Sequence, residues 1–189
     1  MSEKRRTLVI LDRDGVINQD SPDFIKSPDE FIPLPGSLEA IAALCGAGFE
    51  VIVASNQSGV GRGLFSIETL EQIHVKLREE ARAAGGMISG IFFCPHRPDD
   101  HCDCRKPKPG LFEQIAATYH RQLDGVPVIG DSMRDLDAAI AAGAKPILVR
   151  TGNGLKTERE LVEDSGIDVY DDLATAAAAL IDACEGPTT

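Results

Sequence analysis

Short β-branched runs alternate with amphipathic or alanine-rich stretches along the chain. The apolar runs predict six strands, at 7–11, 50–54, 88–94, 126–129, 146–149 and 167–170. The stretches between and after them predict six helices, at 37–47, 66–84, 110–120, 135–142, 157–165 and 171–183. Strands that are apolar throughout and alternate with helices are typical of a parallel sheet covered on both faces. We therefore expect one α/β domain over residues 1–189, with a frayed tail at about 185–189.

Composition and charge narrow the class of protein. Hydrophobic residues make up 43% and charged residues 26% of the 189 residues, which is ordinary for a globular chain. The net charge of −11 argues against a nucleic-acid-binding surface. The longest nearly apolar run, 173–181, is too short to cross a bilayer, and the N-terminal apolar run is too short for an export signal. We expect a cytoplasmic monomer with no nucleic-acid or membrane partner.

Carboxylates follow two of the predicted strands. Asp12 and Asp14 come directly after the first strand, and Asp131 follows the fourth. Ligands of parallel sheets bind beyond the carboxyl ends of the strands, so these three side chains are expected to converge. Asp-x-Asp-Gly alone is also common in solvated turns. Three carboxylates at one edge, however, repel each other unless a hard cation lies among them, and Mg²⁺ prefers such oxygen ligands.

The residues at this edge suit phosphoryl transfer. Asp12 can attack phosphorus and form an aspartyl-phosphate. Asp14 can protonate the leaving oxygen and later deprotonate water. The Ser55 hydroxyl and the Lys106 charge can stabilise the phosphoryl oxygens.

A second candidate metal site lies in the segment 94–104. Its candidate ligands are Cys94, His96, Cys102 and Cys104. Three thiols and an imidazole suit a structural, tetrahedral Zn²⁺ with no open position. Reduced surface cysteines or a disulfide are the alternatives, and His101 competes with His96. Because Arg105 and Lys106 follow directly, a zinc loop would fix both cations over the phosphate site.

The motifs resemble, in order, those of the haloacid dehalogenase (HAD) superfamily of phosphohydrolases. They are Asp12-x-Asp14-Gly15, Ser55-Asn56-Gln57, Arg105-Lys106-Pro107 and Gly130-Asp131. The resemblance spans residues 9–139 and implies a Rossmann-like three-layer α/β/α sandwich with a mostly parallel sheet. The short separation of Asp14 from Ser55 leaves no room for a large cap domain, so we expect loops to select the substrate.

Two HAD families combine a zinc loop with Cys-Arg-Lys-Pro-x-Pro-Gly: D-glycero-D-manno-heptose 1,7-bisphosphate 7-phosphatases and histidinol-phosphate phosphatases. The run NQSGVGRGLF at 56–65 resembles the heptose family. That resemblance implies a Mg²⁺-dependent phosphomonoesterase that removes the 7-phosphate of this sugar bisphosphate, in heptose supply for a bacterial cell-surface glycan. It also implies substrate-binding roles for Asp20, Ser21, Pro22, Asp23, Asn56, Gln57, Ser58 and Arg105.

Several alternatives stay open at this point. Arg62, a cation between two glycines, either helps to hold a second phosphate or is a solvated charge. Histidinol-phosphate is the rival substrate within the same class of enzyme. A non-catalytic zinc-loop interaction module is the rival of a different class, and the intact carboxylate set argues against it. A phosphotransferase or mutase is a further alternative, because an alcohol can attack an aspartyl-phosphate instead of water. The sequence has no segment that predicts a large lid to exclude water, which favours hydrolysis.

Overall fold

A parallel six-stranded sheet runs through the part of the chain that the computed structural model describes, residues 7–162 and 164–185. Its strands are β1 (Thr7–Leu11), β2 (Phe49–Asn56), β3 (Ile88–Cys94), β4 (Pro127–Gly130), β5 (Lys145–Val149) and β6 (Asp168–Tyr170). The spatial order is β3-β2-β1-β4-β5-β6, and every pair is parallel. The order reverses between β1 and β4, which is where doubly wound sheets open a crevice for ligands.

Helices cover both faces of this sheet. They are α1 (Ser37–Gly46), α2 (Ser58–Gly61), α3 (Ile67–Ala83), α4 (Gly110–Tyr119), α5 (Met133–Ala141), α6 (Gly154–Glu160) and α7 (Leu173–Glu185). Apolar residues of α1, α3 and α7 form one core cluster with the sheet, and those of α4 and α5 form the other. The architecture is therefore the predicted three-layer sandwich.

Side-chain alternation in β1 fixes the register of the central strands. Val9 and Leu11 belong to one core cluster, whereas Leu8 and Ile10 belong to the other. A slip of one residue would exchange the two sets and also move Asp12 away from the sheet edge. The register of β1 thus sets both the packing of the core and the position of the first carboxylate.

No large cap domain is present in the described part of the chain. Between β1 and β2 the backbone forms a loop, a short 3-10 helix at Pro28–Glu30, and α1. Another 3-10 helix, Pro98–Asp100, lies in the cysteine-rich loop. Among the described helices, none combines the length and the apolarity that a bilayer-spanning segment requires.

The main departures from the predicted elements concern β2, α2 and α6. β2 extends to Asn56 because Ser55 and Asn56 pair with Phe93 and Cys94 of β3. α2 was not predicted, since it is one turn long. α6 covers Gly154–Glu160 rather than the predicted 157–165. The Thr157 hydroxyl donates to the Asp131 carbonyl across the fold, a contact that local sequence does not reveal. The predicted frayed tail lies outside the described residues, except Glu185, which ends α7.

Truncation of the core should lower stability without removing the site. Leu44 on α1 is fully buried in the cluster shared with α3 and α7. We expect Leu44→Ala to lower the free energy of unfolding by about 2–5 kcal/mol, because it removes buried methyl groups and leaves a cavity. Val75→Ala, at a side chain that is 53% exposed, is the matched control and should change it by less than about 0.5 kcal/mol. Urea denaturation measures both, and equal effects would contradict the packing described above.

Candidate active site

A polar cleft lies beyond the carboxyl ends of β1, β2 and β4. Asp12 follows β1, Ser55 lies near the end of β2, and Asp131 follows β4, and all three line the cleft. The backbone N–H of Asp12 donates to the Ile129 carbonyl at 2.9 Å, which ties the end of β1 to β4. The predicted convergence of these residues at the sheet edge is therefore observed.

Three carboxylates form a group that could hold a cation. Asp12, Asp131 and Asp135 each place one oxygen within 4.8 Å of the other two. Burial raises the pKa of Asp12 to about 8, and the neighbouring carboxylates add to this effect against the opposing charge of Lys106. Burial and Asp135 raise the pKa of Asp131 to about 6. Oδ1 of Asp12 is buried without a hydrogen bond of good geometry, so this all-oxygen set fits a hard divalent cation.

Lys106 is buried between two of these carboxylates. Its Nζ lies 3.0 Å from Oδ1 of Asp12 and 2.6 Å from Oδ1 of Asp135, and it donates to the Ala54 carbonyl at 2.8 Å. Burial alone would lower the pKa of Lys106, but Asp12 and Asp135 raise it above its usual value. Burial likewise works to raise the pKa of Asp135, yet Lys106 and Ser132 hold it below its usual range. The ammonium is thus held in its charged form beside Asp12.

Asp135 is a site residue that sequence reasoning treated only as the start of a helix. It lies in the first turn of α5, where the backbone N–H and the hydroxyl of Ser132 donate to its Oδ2 at 3.0 and 2.6 Å. The pair forms a capping box, which leaves Oδ1 for Lys106. The signal in the sequence was Ser-x-x-Asp directly after Gly130-Asp131. This pattern predicts a helix cap that begins at the sheet edge.

Asp131 is fixed by a loop that sequence reasoning also missed. Asn153, between β5 and α6, donates to Oδ2 of Asp131 from its backbone N–H at 2.7 Å and from Nδ2 at 3.1 Å. Its Nδ2 also donates to Oδ2 of Asp20 at 3.0 Å. Gly15 adopts a φ of +83°, and a Cβ there would collide with the Asp131 carboxylate, so only glycine fits. The loop that follows β5 lies at the same sheet edge as the motifs, and this position was the signal in the sequence that could have identified Asn153 as a site residue.

Asp14 lines the cleft beside Asp12, but its carboxylate lies outside the group of three. Its Oδ1 accepts from Nη2 of Arg13 and from Nδ2 of Asn18, both at 2.9 Å. Its Oδ2 accepts from Nε2 of Gln57 at 2.8 Å. Gln57 Nε2 also donates to the Ser55 hydroxyl at 2.8 Å. The structure therefore places Asp14 at the cleft. Its carboxylate does not belong to the group of three, although the sequence predicted that Asp14 would converge with Asp12 and Asp131 around a cation.

Most of the predicted substrate-binding residues line the cleft. They are Asp20, Ser21, Asn56, Gln57, Ser58 and Arg105. Pro22, Asp23 and Arg62 lie outside its lining, and the Arg62 guanidinium is 5.9 Å from the centre of the Phe24 ring. Phe24 and Arg134 also line the cleft, and the sequence did not predict them as site residues.

The rim of the cleft concentrates positive charge. Arg105 and Arg134 both line it, in a chain with a net charge of −11. Burial lowers the pKa of Arg105, and the nearby charge of Arg134 lowers it further. Cations that crowd each other beside a carboxylate site provide a place for an anionic group of a ligand.

The four predicted zinc ligands meet at one point. Their Sγ–Sγ distances are 3.2–3.6 Å, and Nδ1 of His96 lies 3.6 Å from Cys94 Sγ and 3.3 Å from Cys104 Sγ. Around tetrahedral Zn²⁺, ligand sulfurs at about 2.3 Å stand roughly 3.8 Å apart, so a small outward shift would admit the ion. His96, not His101, belongs to this group, and its three cysteines are free thiols. The residues fit a structural zinc.

Asn56 connects the cysteine-rich loop to the sheet. Its Nδ2 donates to the Lys106 carbonyl at 3.0 Å, and its Oδ1 accepts from the Lys106 N–H at 3.1 Å. These two hydrogen bonds hold the backbone of Lys106 against the end of β2, two residues after Cys104. The predicted coupling between the zinc loop and the lysine therefore has a structural basis.

Curated relatives match nearly the whole length of the chain. A profile of the HAD-hydrolase-like family matches residues 103–176. The D-glycero-beta-D-manno-heptose-1,7-bisphosphate 7-phosphatase of Bordetella bronchiseptica is 54% identical, over 92% of this chain and 97% of that protein. The enzyme of the same name from Pseudomonas aeruginosa is 51% identical, over 93% of this chain and 98% of that protein.

Solved structures agree with these relationships. The crystal structure of D,D-heptose 1,7-bisphosphate phosphatase from B. bronchiseptica, complexed with magnesium and phosphate, has a TM-score of 0.90 at 54% identity and covers 93% of this chain and 98% of its own. The phosphatase of the same name from Burkholderia thailandensis has a TM-score of 0.75 at 44% identity, over 94% and 99%. With relatives this similar over nearly their whole length, the chain belongs to the D-glycero-beta-D-manno-heptose-1,7-bisphosphate 7-phosphatase family of HAD-like hydrolases.

Proposed function

We propose that the chain is a Mg²⁺-dependent phosphomonoesterase that removes the 7-phosphate of D-glycero-β-D-manno-heptose 1,7-bisphosphate through an aspartyl-phosphate. The observation that carries this proposal is the Asp12 carboxylate at the sheet edge, 3.0 Å from a buried lysine ammonium and beside Asp14, Asp131 and Asp135. The names of the relatives support the substrate and its β anomer.

The reaction divides the work between two aspartates. The Asp12 carboxylate attacks phosphorus, and the bond from phosphorus to the leaving oxygen breaks as that oxygen takes a proton from Asp14. Asp14 then takes a proton from water, whose oxygen attacks the aspartyl-phosphate to release inorganic phosphate and regenerate Asp12. Lys106 and the Ser55 hydroxyl lie where they can stabilise charge on the transferring group.

We propose Asp12 and Asp131 as carboxylate ligands of Mg²⁺, which supplies positive charge that neutralises the phosphoryl oxygens. The magnesium and phosphate in the B. bronchiseptica structure support the choice of metal, and the group of three carboxylates supports its position. Asp14 stays a predicted ligand, but its carboxylate would have to leave Arg13 and Gln57 to reach the ion. The proposed zinc, bound by the four residues of the cysteine-rich loop, is structural, because all four of its positions are filled.

The basic rim favours a bisphosphate over histidinol-phosphate. Arg105 and Arg134 would attract a second phosphate, whereas histidinol-phosphate presents an ammonium group there that they would repel. We propose Arg105, Asp20, Ser21, Asn56, Gln57 and Ser58 as the residues around the substrate. Pro22, Asp23 and Arg62 remain predictions that depend on the resemblance.

We also propose a cytoplasmic monomer in which residues 1–189 form one domain. Zinc held by three thiolates requires reduced cysteines, which suits a reducing compartment. Both apolar clusters share the single sheet, so the described elements have one continuous core.

A comparison of substrates tests the activity. Phosphate release should be fastest from the β anomer of heptose 1,7-bisphosphate, slower from the α anomer, and slowest from histidinol-phosphate. Asp12→Asn should abolish turnover of all three, because an amide is a poor nucleophile. Colorimetric phosphate release measures each rate. Faster release from histidinol-phosphate would overturn the substrate assignment, and near wild-type turnover by Asp12→Asn would overturn the mechanism.

Activity should require magnesium, and the affinity of the protein for magnesium should depend on Asp131. EDTA treatment should remove activity, and added Mg²⁺ should restore it. In Asp131→Ala the Mg²⁺ concentration for half-maximal activity should rise at least roughly tenfold, because a charged ligand is lost. Asp137→Ala, on α5 but outside the carboxylate group, is the control and should leave this concentration unchanged. Full activity of the metal-stripped protein with no divalent ion added would refute the requirement.

Zinc should be present at about one ion per chain. Cys102→Ser should lower zinc content and kcat/KM, because the loop that positions Arg105 and Lys106 loses its metal. Cys45→Ser is the control. Cys45 contacts the Met87 carbonyl, at the opposite end of β3 from Cys94. Elemental analysis beside steady-state kinetics gives both readings. A zinc-free wild-type protein with full activity would show that the cluster has another role.

A further inference from the structure

Arg13 is a fully buried cation that the reaction above does not use. It lies between Asp12 and Asp14 in the chain, and its side chain has 1% of its surface exposed. Nε donates to Oδ1 of Asp14 at 3.1 Å, and Nη2 donates to Oδ1 and Oδ2 at 2.9 and 3.0 Å. A guanidinium placed in this way contacts both oxygens of the carboxylate and so restricts its rotation.

Arg13 also sets the orientation of Gln57. Its Nη2 donates to Oε1 of Gln57 at 3.2 Å, and Nε2 of Gln57 then donates to Oδ2 of Asp14 and to the Ser55 hydroxyl. A guanidinium can only donate, and Asp14 in its ionised form only accepts, so the amide has one orientation that satisfies both. Arg13, Asp14 and Gln57 therefore form a closed triangle of hydrogen bonds, in which each member fixes the next.

In the part of the chain that the structure describes, Arg13 pairs with a single carboxylate. Asp14 is the carboxylate with which Arg13 forms an ion pair among the described residues. His74 on α3 is a titratable group close to Arg13. Burial, and to a smaller extent the charge of Arg13, lowers the pKa of His74 to about 3, so its ring is neutral. Asn18 completes the surroundings of Asp14 through one hydrogen bond from Nδ2 to Oδ1 at 2.9 Å.

We infer that Arg13 is a positioning residue for Asp14, holding its carboxylate, directly and through Gln57, in the direction from which it exchanges a proton with the leaving oxygen. This inference rests on the proposed function, in which Asp14 is the proton donor. Asp14 lines the cleft, and about a fifth of its side chain is exposed, so part of this side chain borders the space that a substrate would enter. Misplacement of a proton donor by a small distance removes much of its effect.

A comparison of leaving groups separates positioning from a merely structural role. The sugar alkoxide of heptose bisphosphate is a strong base and needs a proton as it leaves, whereas p-nitrophenolate leaves without one. Release of the sugar or of the phenol in the first turnover, followed by rapid quench, reports the step that forms the aspartyl-phosphate. It is therefore independent of the later attack by water, in which Asp14 acts as a base.

Arg13→Lys keeps the charge and removes the forked contact. We expect first-turnover release from heptose bisphosphate to fall by roughly 10- to 100-fold, and release from p-nitrophenyl phosphate to fall less than about threefold. Gln57→Leu keeps Arg13 and should show the same selectivity to a smaller extent, measured at saturating substrate because Gln57 also lines the cleft. Arg78→Lys is the matched control, because Arg78 is half-buried and donates to the Ile88 carbonyl outside the cleft. It should affect neither substrate selectively.

Asp14→Asn distinguishes failure of this inference from failure of the proposed function. If Asp14→Asn slows the sugar phosphate selectively but Arg13→Lys slows both substrates equally, Arg13 is structural and the inference is wrong. If Asp14→Asn itself shows no selectivity, Asp14 is not the proton donor and the proposed mechanism is wrong as well. Should Arg13→Lys fail to fold, equal slowing of both substrates by Gln57→Leu would also overturn the inference.

Discussion

The burial of one lysine ammonium organises the site. Lys106 has almost no contact with solvent, and its charge is compensated by Asp12 and Asp135 at 3.0 and 2.6 Å. Loss of either carboxylate would leave a buried charge partly unpaired, which is among the costliest changes that a protein interior can undergo. The ion pairs of Lys106 therefore couple three segments: the strand end at Asp12, the first turn of α5 at Asp135 and the end of the cysteine-rich loop. Displacement of one of these segments would leave the charge of Lys106 without full compensation.

Two local devices bring these pieces into register. The capping box of Ser132 and Asp135 starts α5 and at the same time aims a carboxylate at the lysine. Asn56 binds both backbone polar groups of Lys106 and so attaches a loop with no apolar core of its own to the end of β2. The clustered thiols close the other end of that loop. Secondary structure and site geometry are thus specified by the same side chains.

Much of this arrangement could be predicted from the sequence, because strand order and motif position follow general rules. The apolar runs located all six strands, and the rule that ligands bind beyond strand ends brought Asp12, Ser55 and Asp131 together. The roles of Asp135 and Asn153 could not be recognised in the same way. Each acts through a tertiary contact, to Lys106 and to Asp131, and local pattern carries no information about such a partner. α6 was misplaced for the same reason, since Thr157 bonds across the fold to Asp131.

The basic rim and the carboxylate cleft differ in how tightly the packing of the core constrains their side chains. Asp12 and Asp131 follow central strands whose register the whole core enforces, whereas Arg134 is exposed on the first turn of α5. A substitution at Arg134 would cost little folding energy and leave the reacting groups in place. Preference for the non-reacting end of a substrate can therefore change by substitution at this surface position while the chemistry at the reacting phosphate stays the same.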